Sequence, residues 1–285
     1  MKMLNKIIRY NCNASLHIYA NLESNQLIAQ NCCQEDTRYK KSFNLDQIDE
    51  FLSYYLDEKY KLIDRFYLYH EDKCIYPKDT LNNFGSIDLK TITQCNFNCP
   101  NCTRRFRNNA KYKKLEEELT IELIKKSSKY INKTIELGLN CEISLYPNLL
   151  NCINSSKNEF HLFSNGSNLD YLKQITAKVT SYTISLHSMN ENAFDTITRT
   201  HNYMNKVIET INWLHDTKKH LIVSIVIFEE NKNEIDSLIK YLRNKKIKFQ
   251  LNNNTFSNER IDILRYFKYS DSIWNYGDCY DIIFY

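Results

Sequence analysis

Between residues 87 and 256 the apolar positions switch repeatedly between two rhythms. Short runs of strand length fall at 87–93, 142–146, 160–164, 182–187, 221–228 and 247–251. Segments with apolar residues three and four apart fall between them, at 115–137, 149–153, 169–179, 193–197, 203–214 and 235–242. The first of these carries Leu119, Leu123, Tyr130 and Ile131 and predicts one helix with Gly138 as its stop. The β-branched run at 221–228 suits a strand covered on both faces. Strands alternating with helices predict an α/β fold, a parallel sheet joined by right-handed crossovers. Six such units are fewer than the eight that close a full barrel.

Residues 1–86 follow a different pattern. Alternation at 14–19 and 26–30 predicts a hairpin. Helical spacing at 45–56, with Asn44 as N-cap, predicts a helix, and 63–69 reads as a strand. The expected organisation is a small α+β extension over 1–86, a core over 87–256, and a tail over 257–285 packed on the core.

Composition narrows the function. The chain has 285 residues, 42% hydrophobic and 25% charged, as in an ordinary globular protein. A net charge of +4 is too small to argue for a nucleic-acid partner. No apolar run approaches the roughly 18–20 residues of a membrane span. Residues 1–10 hold Lys2, Lys6 and Arg9 without a long apolar stretch, so no signal peptide is expected. Ten irregularly spaced cysteines do not form a secreted disulfide framework, and a reducing cytoplasm is expected.

Three of those cysteines, Cys95, Cys99 and Cys102, are spaced C-x3-C-x2-C just after the strand at 87–93. Thiolates are soft ligands that select zinc or iron–sulfur clusters. A structural zinc site wants four donors, and so does a ferredoxin cluster. Three thiolates on a four-iron cluster leave one iron open to a substrate or cofactor. A partial zinc site or a reduced thiol cluster is the plainer alternative. Chemistry in barrels of parallel strands sits at the C-terminal strand ends. That rule also selects Ser144, Tyr146, Ser164, Asn165, Ser185 and His187. Cys141, Cys152 and Cys279 have no partner at ligand spacing and read as structural thiols.

Cys95, Cys99 and Cys102 resemble the cluster motif of the radical S-adenosylmethionine (SAM) enzymes. The resemblance implies a partial (β/α)6 TIM-like barrel, matching the six units. It implies a [4Fe-4S] cluster on the three cysteines whose open iron chelates the amino and carboxylate groups of SAM. It implies cleavage of SAM to a 5′-deoxyadenosyl radical that abstracts a substrate hydrogen. Phe163-Ser164-Asn165-Gly166 and Ile184-Ser185-Leu186-His187-Ser188 are similar to SAM-contacting strand ends of that family. Asp195-x-Ile197-x-Arg199 resembles an element whose arginine pairs with the SAM carboxylate, a role suited to a planar fork of donors. Ser144, Asn165, Ser185 and Arg199 are therefore the expected SAM-binding residues. An electron donor such as flavodoxin or ferredoxin is the implied partner.

The segment from Cys12 through His17 to Cys32-Cys33 is similar to the cysteine-rich part of SPASM and twitch domains. It implies a second, auxiliary cluster on Cys12, Cys32, Cys33 and Cys74, with inert buried thiols as the alternative. Relatives with such segments act on peptides or activated sugars. Two departures stand out. Asn101 takes the place of the family's aromatic residue before the third cysteine, leaving Phe97 as the available ring. The family's Gly-Gly-Glu-Pro at the end of the second strand reads here as Ser144-Leu145-Tyr146-Pro147, keeping only the proline. The expected activity is radical SAM chemistry. The rivals are a non-catalytic cluster or zinc protein and SAM-dependent methyl transfer.

Overall fold

A computed structural model describes residues 16–21, 26–31, 42–44, 46–53, 86–100, 102, 114–128, 134–139, 141–253, 272–276 and 279–284. The strands are β1 (Leu16–Asn21), β2 (Gln26–Asn31), β3 (Ser42–Asn44), β4 (Ser86–Lys90), β5 (Thr134–Leu137), β6 (Glu159–Ser164), β7 (Val179–Ser185), β8 (His220–Ile227), β9 (Lys248–Asn253), β10 (Ser272–Tyr276) and β11 (Cys279–Phe284). The helices are α1 (Ile48–Leu52), α2 (Glu117–Ser127), α3 (Leu149–Asn154), α4 (Leu169–Ile175), α5 (Glu191–Thr198), α6 (Met204–Asp216) and α7 (Ile235–Asn244).

Among the described residues, eleven strands form one sheet. Its centre is the run β4 to β9, six strands lying side by side in sequence order and all parallel. The fold class is thus the expected α/β one, a partial TIM-like arrangement. The sheet does not close on itself. On one side β1 lies parallel to β4 and continues into antiparallel β2 and β3. On the other, β11 lies antiparallel to β9 and is followed by β10. The predicted hairpin at 14–30 is present as β1 and β2, and both ends of the chain add strands to the edges of the central sheet.

The sheet has two unlike faces. On β8, Leu221, Val223, Ile225 and Ile227 are buried, and they join Val207, Ile211 and Leu214 of α6 and Leu238, Ile239 and Leu242 of α7 in one apolar core. The alternate residues Ile222, Ser224 and Val226 are only half-buried. The unbroken apolar run at 221–228 therefore has one face under helices and the other facing the open side of the sheet.

Two sequence expectations fail at the second unit. The helix predicted over 115–137 stops at Ser127, and Thr134–Leu137 is β5, inserted between β4 and β6. Ile135 and Leu137 alternate with half-buried Thr134 and Glu136, a pattern of two that is too short to stand out beside the helix. Residues 142–146 are then not a strand. Ile143–Leu145 is a single 3-10 turn, held where Glu142 accepts a hydrogen bond from the Ser144 N–H. Gly138 ends β5 instead of a helix. Its φ is +95°, and a Cβ there would lie 2.3 Å from the Phe163 carbonyl oxygen, so only glycine lets β5 and β6 come this close. At α1, Gln47 stands at the N-cap and Asn44 ends β3. The expected strand at 63–69 lies outside the described residues.

Candidate functional site

The cysteine loop leaves the C-terminal end of β4 and is tied down by backbone hydrogen bonds to three other segments. Leu115 N–H bonds to the Thr91 carbonyl (2.8 Å), Glu142 N–H to the Gln94 carbonyl (2.8 Å) and Asn98 N–H to the Thr198 carbonyl (2.9 Å). Phe97 anchors the loop. Its ring is 5% exposed and meets Phe194 and Tyr203 edge-on, with centroids 6.0 and 5.3 Å away. That burial corrects the expectation that Phe97 is the ring available for stacking.

Cys95, Cys99 and Cys102 are all half-buried on this loop. The Cys95 sulfur accepts the Phe97 N–H at 3.4 Å and the Asn165 side-chain amide at 3.7 Å. The Asn165 amide also reaches Asn96 Oδ1 at 2.8 Å, while its own oxygen accepts the Ser167 N–H. Asn165, directly after β6, is thus clamped to the cysteine loop. Amide hydrogen bonds to cluster sulfurs are one of the means by which a protein sets a cluster's potential.

Glu142 sits beneath this contact and was missed in the sequence. It is fully buried. Its Oε1 accepts the Ser144 N–H (3.0 Å) and the Ser164 hydroxyl (2.8 Å), and its Oε2 accepts the Asn165 N–H (2.6 Å). Burial pushes its carboxyl above the usual range, and these donors pull the other way. Because β5 ends at Leu137, the stretch after the second strand is Gly138 to Ile143. A buried carboxylate, that of Glu142, therefore stands just upstream of Ser144–Pro147. The signal that would have found it was the two-residue alternation of Thr134–Leu137.

The other expected SAM-binding residues stand on separate segments. Ser144 is 6% exposed, and among the described residues its hydroxyl makes no hydrogen bond. Ser185 ends β7, in register with Ser224 of β8. Arg199 caps the C-terminal end of α5 in a left-handed conformation (φ 51°), exposed, and directly after the Thr198 carbonyl that receives Asn98. Asp195 holds His201 (3.2 Å). His187 Nδ1 accepts the Val226 N–H (3.2 Å), which leaves the ring proton on Nε2. Burial lowers its pKa to about 4, so the ring is neutral.

The donor set, three thiolates, suits an iron–sulfur cluster. Among the described residues no three Cys, His, Asp or Glu side chains converge to hold one metal ion. Three soft thiolates on one loop match a four-iron cluster that leaves one iron to another ligand. Zinc would want four donors around one point. Cys12, Cys32, Cys33 and Cys74, the expected auxiliary ligands, lie outside the described residues. No described helix is long and apolar enough to cross a membrane.

The profile of the radical SAM superfamily matches residues 89–242, and the chain belongs to that superfamily. Its members are enzymes that use a [4Fe-4S] cluster and SAM. Among solved structures, Streptococcus suis SuiB bound to S-adenosylmethionine shares 12% identity, covering 85% of this chain and 63% of its own, with a TM-score of 0.51. Native anSMEcpe with bound AdoMet shares 15% identity, covering 64% of this chain and 58% of its own, with a TM-score of 0.52. The chain spans less than two thirds of either, and the likeness is one of fold. No curated protein sequence matches the chain.

Proposed function

We propose that the chain cleaves SAM reductively and uses the resulting radical to abstract hydrogen from a substrate. The observation that carries this reading is the trio of cysteines on the loop after β4, with the Asn165 amide on the Cys95 sulfur. Cys95, Cys99 and Cys102 would hold the [4Fe-4S] cluster, which when bound supplies the electron that breaks a carbon–sulfur bond of SAM. The chain's own part is to bind and orient. Arg199 would face the SAM carboxylate, with Ser144, Asn165 and Ser185 lining the rest of the mouth. The Ser144 hydroxyl is an unused donor there. The rival reading, a binding protein that has lost SAM chemistry, rested on the altered end of the second strand, where both glycines and the glutamate are missing; against it, Glu142 offers a carboxylate just upstream.

The substrate class follows from resemblance alone: a peptide or an activated sugar. A flavodoxin or ferredoxin would deliver the electron in the cytoplasm. Whether the net reaction is oxidoreduction or group transfer depends on the fate of the substrate radical. An auxiliary cluster on Cys12, Cys32, Cys33 and Cys74 would double the iron content.

Protein purified anaerobically should be brown, with a reduced-cluster EPR signal that shifts on adding SAM. With dithionite it should form 5′-deoxyadenosine. Replacing Cys95, Cys99 and Cys102 together by Ala should abolish both. Stoichiometric zinc without iron would overturn the reading, and S-adenosylhomocysteine as the main product would replace it with methyl transfer.

A further inference from the structure

We propose that the two turns leading into β8 and β9 form a binding pocket for a phosphate group, at the opposite end of the strands from the cysteine loop. A cavity of about 140 Å³ opens between them, lined by two histidines, His215 and His220, and three lysines, Lys219, Lys246 and Lys248. No described carboxylate lines it. A water takes about 30 Å³ of the liquid, so the cavity has room for a phosphate group with a few waters. The pocket opens where β8 and β9 begin, whereas Asn165, Ser185 and the cysteine loop stand at C-terminal strand ends. It is therefore separate from the proposed SAM site and does not depend on it.

Two matching turns build the pocket. α6 ends at Asp216 and α7 at Asn244, and each is closed in the same way. The Lys218 N–H bonds to the His215 carbonyl (3.0 Å), and the Lys246 N–H to the Arg243 carbonyl (2.9 Å). Lys218 and Lys246 both have positive φ, 57° and 55°. That conformation after a helix end favours glycine, yet lysine stands there twice. Helix dipoles account for only part of the charge. Lys218, Lys219, Lys245 and Lys246 bring four positive charges to the two turns. Asp216 and about half a negative charge at each helix end offset about two of them. About two remain, which matches the charge of about −1.5 to −2 on a phosphate ester at neutral pH. The donors are also placed. The Lys219 ammonium bonds to the Val179 carbonyl (2.8 Å), which holds it at the start of β7. Burial, and then the Lys248 ammonium, lower the pKa of His220, so its ring is neutral at pH 7 and offers an N–H. Ammonium and ring N–H groups are the donors that phosphate oxygens take.

The test titrates the full-length, anaerobically purified protein with inorganic phosphate, pyrophosphate and ATP by isothermal calorimetry, at constant ionic strength in chloride. Saturable binding at one site is expected, and the tightest probe tells whether the ligand is a free phosphate, a diphosphate or a nucleotide. Lys246→Gly removes one ammonium while giving the turn the residue its φ favours. Its urea midpoint should be no lower than that of wild type, so lost binding would not be lost folding. Lys246→Gly and Lys219→Gln should each weaken binding about tenfold or more, the loss of one charge-assisted contact. Lys125→Gln, on the exposed side of α2, removes the same charge elsewhere and should leave the affinity unchanged. No saturable binding of any of the three probes would overturn the proposal. So would equal affinity in wild type and Lys246→Gly, or equal weakening by Lys125→Gln. None of these outcomes bears on the formation of 5′-deoxyadenosine, so the SAM reading stands or falls apart from them.

Discussion

One carboxylate at Glu142 satisfies three donors from three places: the turn at Ser144, the end of β6 at Ser164, and the Asn165 N–H beside the cysteine loop. Removing it would leave all three buried and unpaired. An unsatisfied buried donor costs about 1–3 kcal/mol, so Glu142→Ala should lower the unfolding free energy by about 3 kcal/mol or more. Urea unfolding checks this as a lower midpoint at constant slope. Glu142→Gln keeps the size but turns an N–H toward donors, and its midpoint should fall between. A Glu142→Ala midpoint equal to wild type would show that water replaces the carboxylate at no cost.

At the scale of the elements, the half-buried face of the sheet carries a polar row. Asp88, Glu136, His161 and Ser181 stand side by side on β4, β5, β6 and β7. His161 is held at both ring nitrogens, by Ser181 (2.7 Å) and Thr183 (2.9 Å). Burial lowers its pKa from 6.5 to about 4. The unfolded chain therefore binds the proton first. The stability that depends on neutral His161 is present above pH 6.5 and is lost as pH falls toward 4. His187 acts in the same direction, and Glu142, whose pKa is raised, acts in the opposite one. Comparison with His161→Gln isolates the one group. The advantage of wild type over this variant should shrink by up to about 1.4 kcal/mol per pH unit between 6.5 and 4. A pH-independent difference would mean that His161 is protonated in the fold.

At the scale of the whole molecule, an open sheet must cover its edges. β11 does this for β9, pairing Phe284 with Phe249 and Ile282 with Leu251. Without it, β9 would present a row of unpaired N–H and C=O groups able to template another chain. A protein ending at residue 271 should therefore self-associate. Size-exclusion chromatography with light scattering should give oligomers or aggregate where the full chain, at equal concentration, does not. A monodisperse monomer would show that β9 is protected in another way.

The sequence by itself determined the α/β class, five of the six parallel strands and the cysteine triad, because each is local. Hydrophobic spacing reports burial within a few residues, and the triad lies within one loop. The hairpin of β1 and β2 was legible for the same reason. Asn165 could be chosen because strand ends are visible in the pattern. Tertiary structure alone decided the second unit. The four residues of β5 are strand because β4 and β6 flank them, and their alternation is too short to outweigh the helical spacing before them. That displacement hid Glu142, whose role exists only once Ser164 and Asn165 are folded against it. The approach of the turn after β5 to the cysteine loop was hidden likewise. It depends on a backbone hydrogen bond between Glu142 and Gln94, which no local spacing encodes.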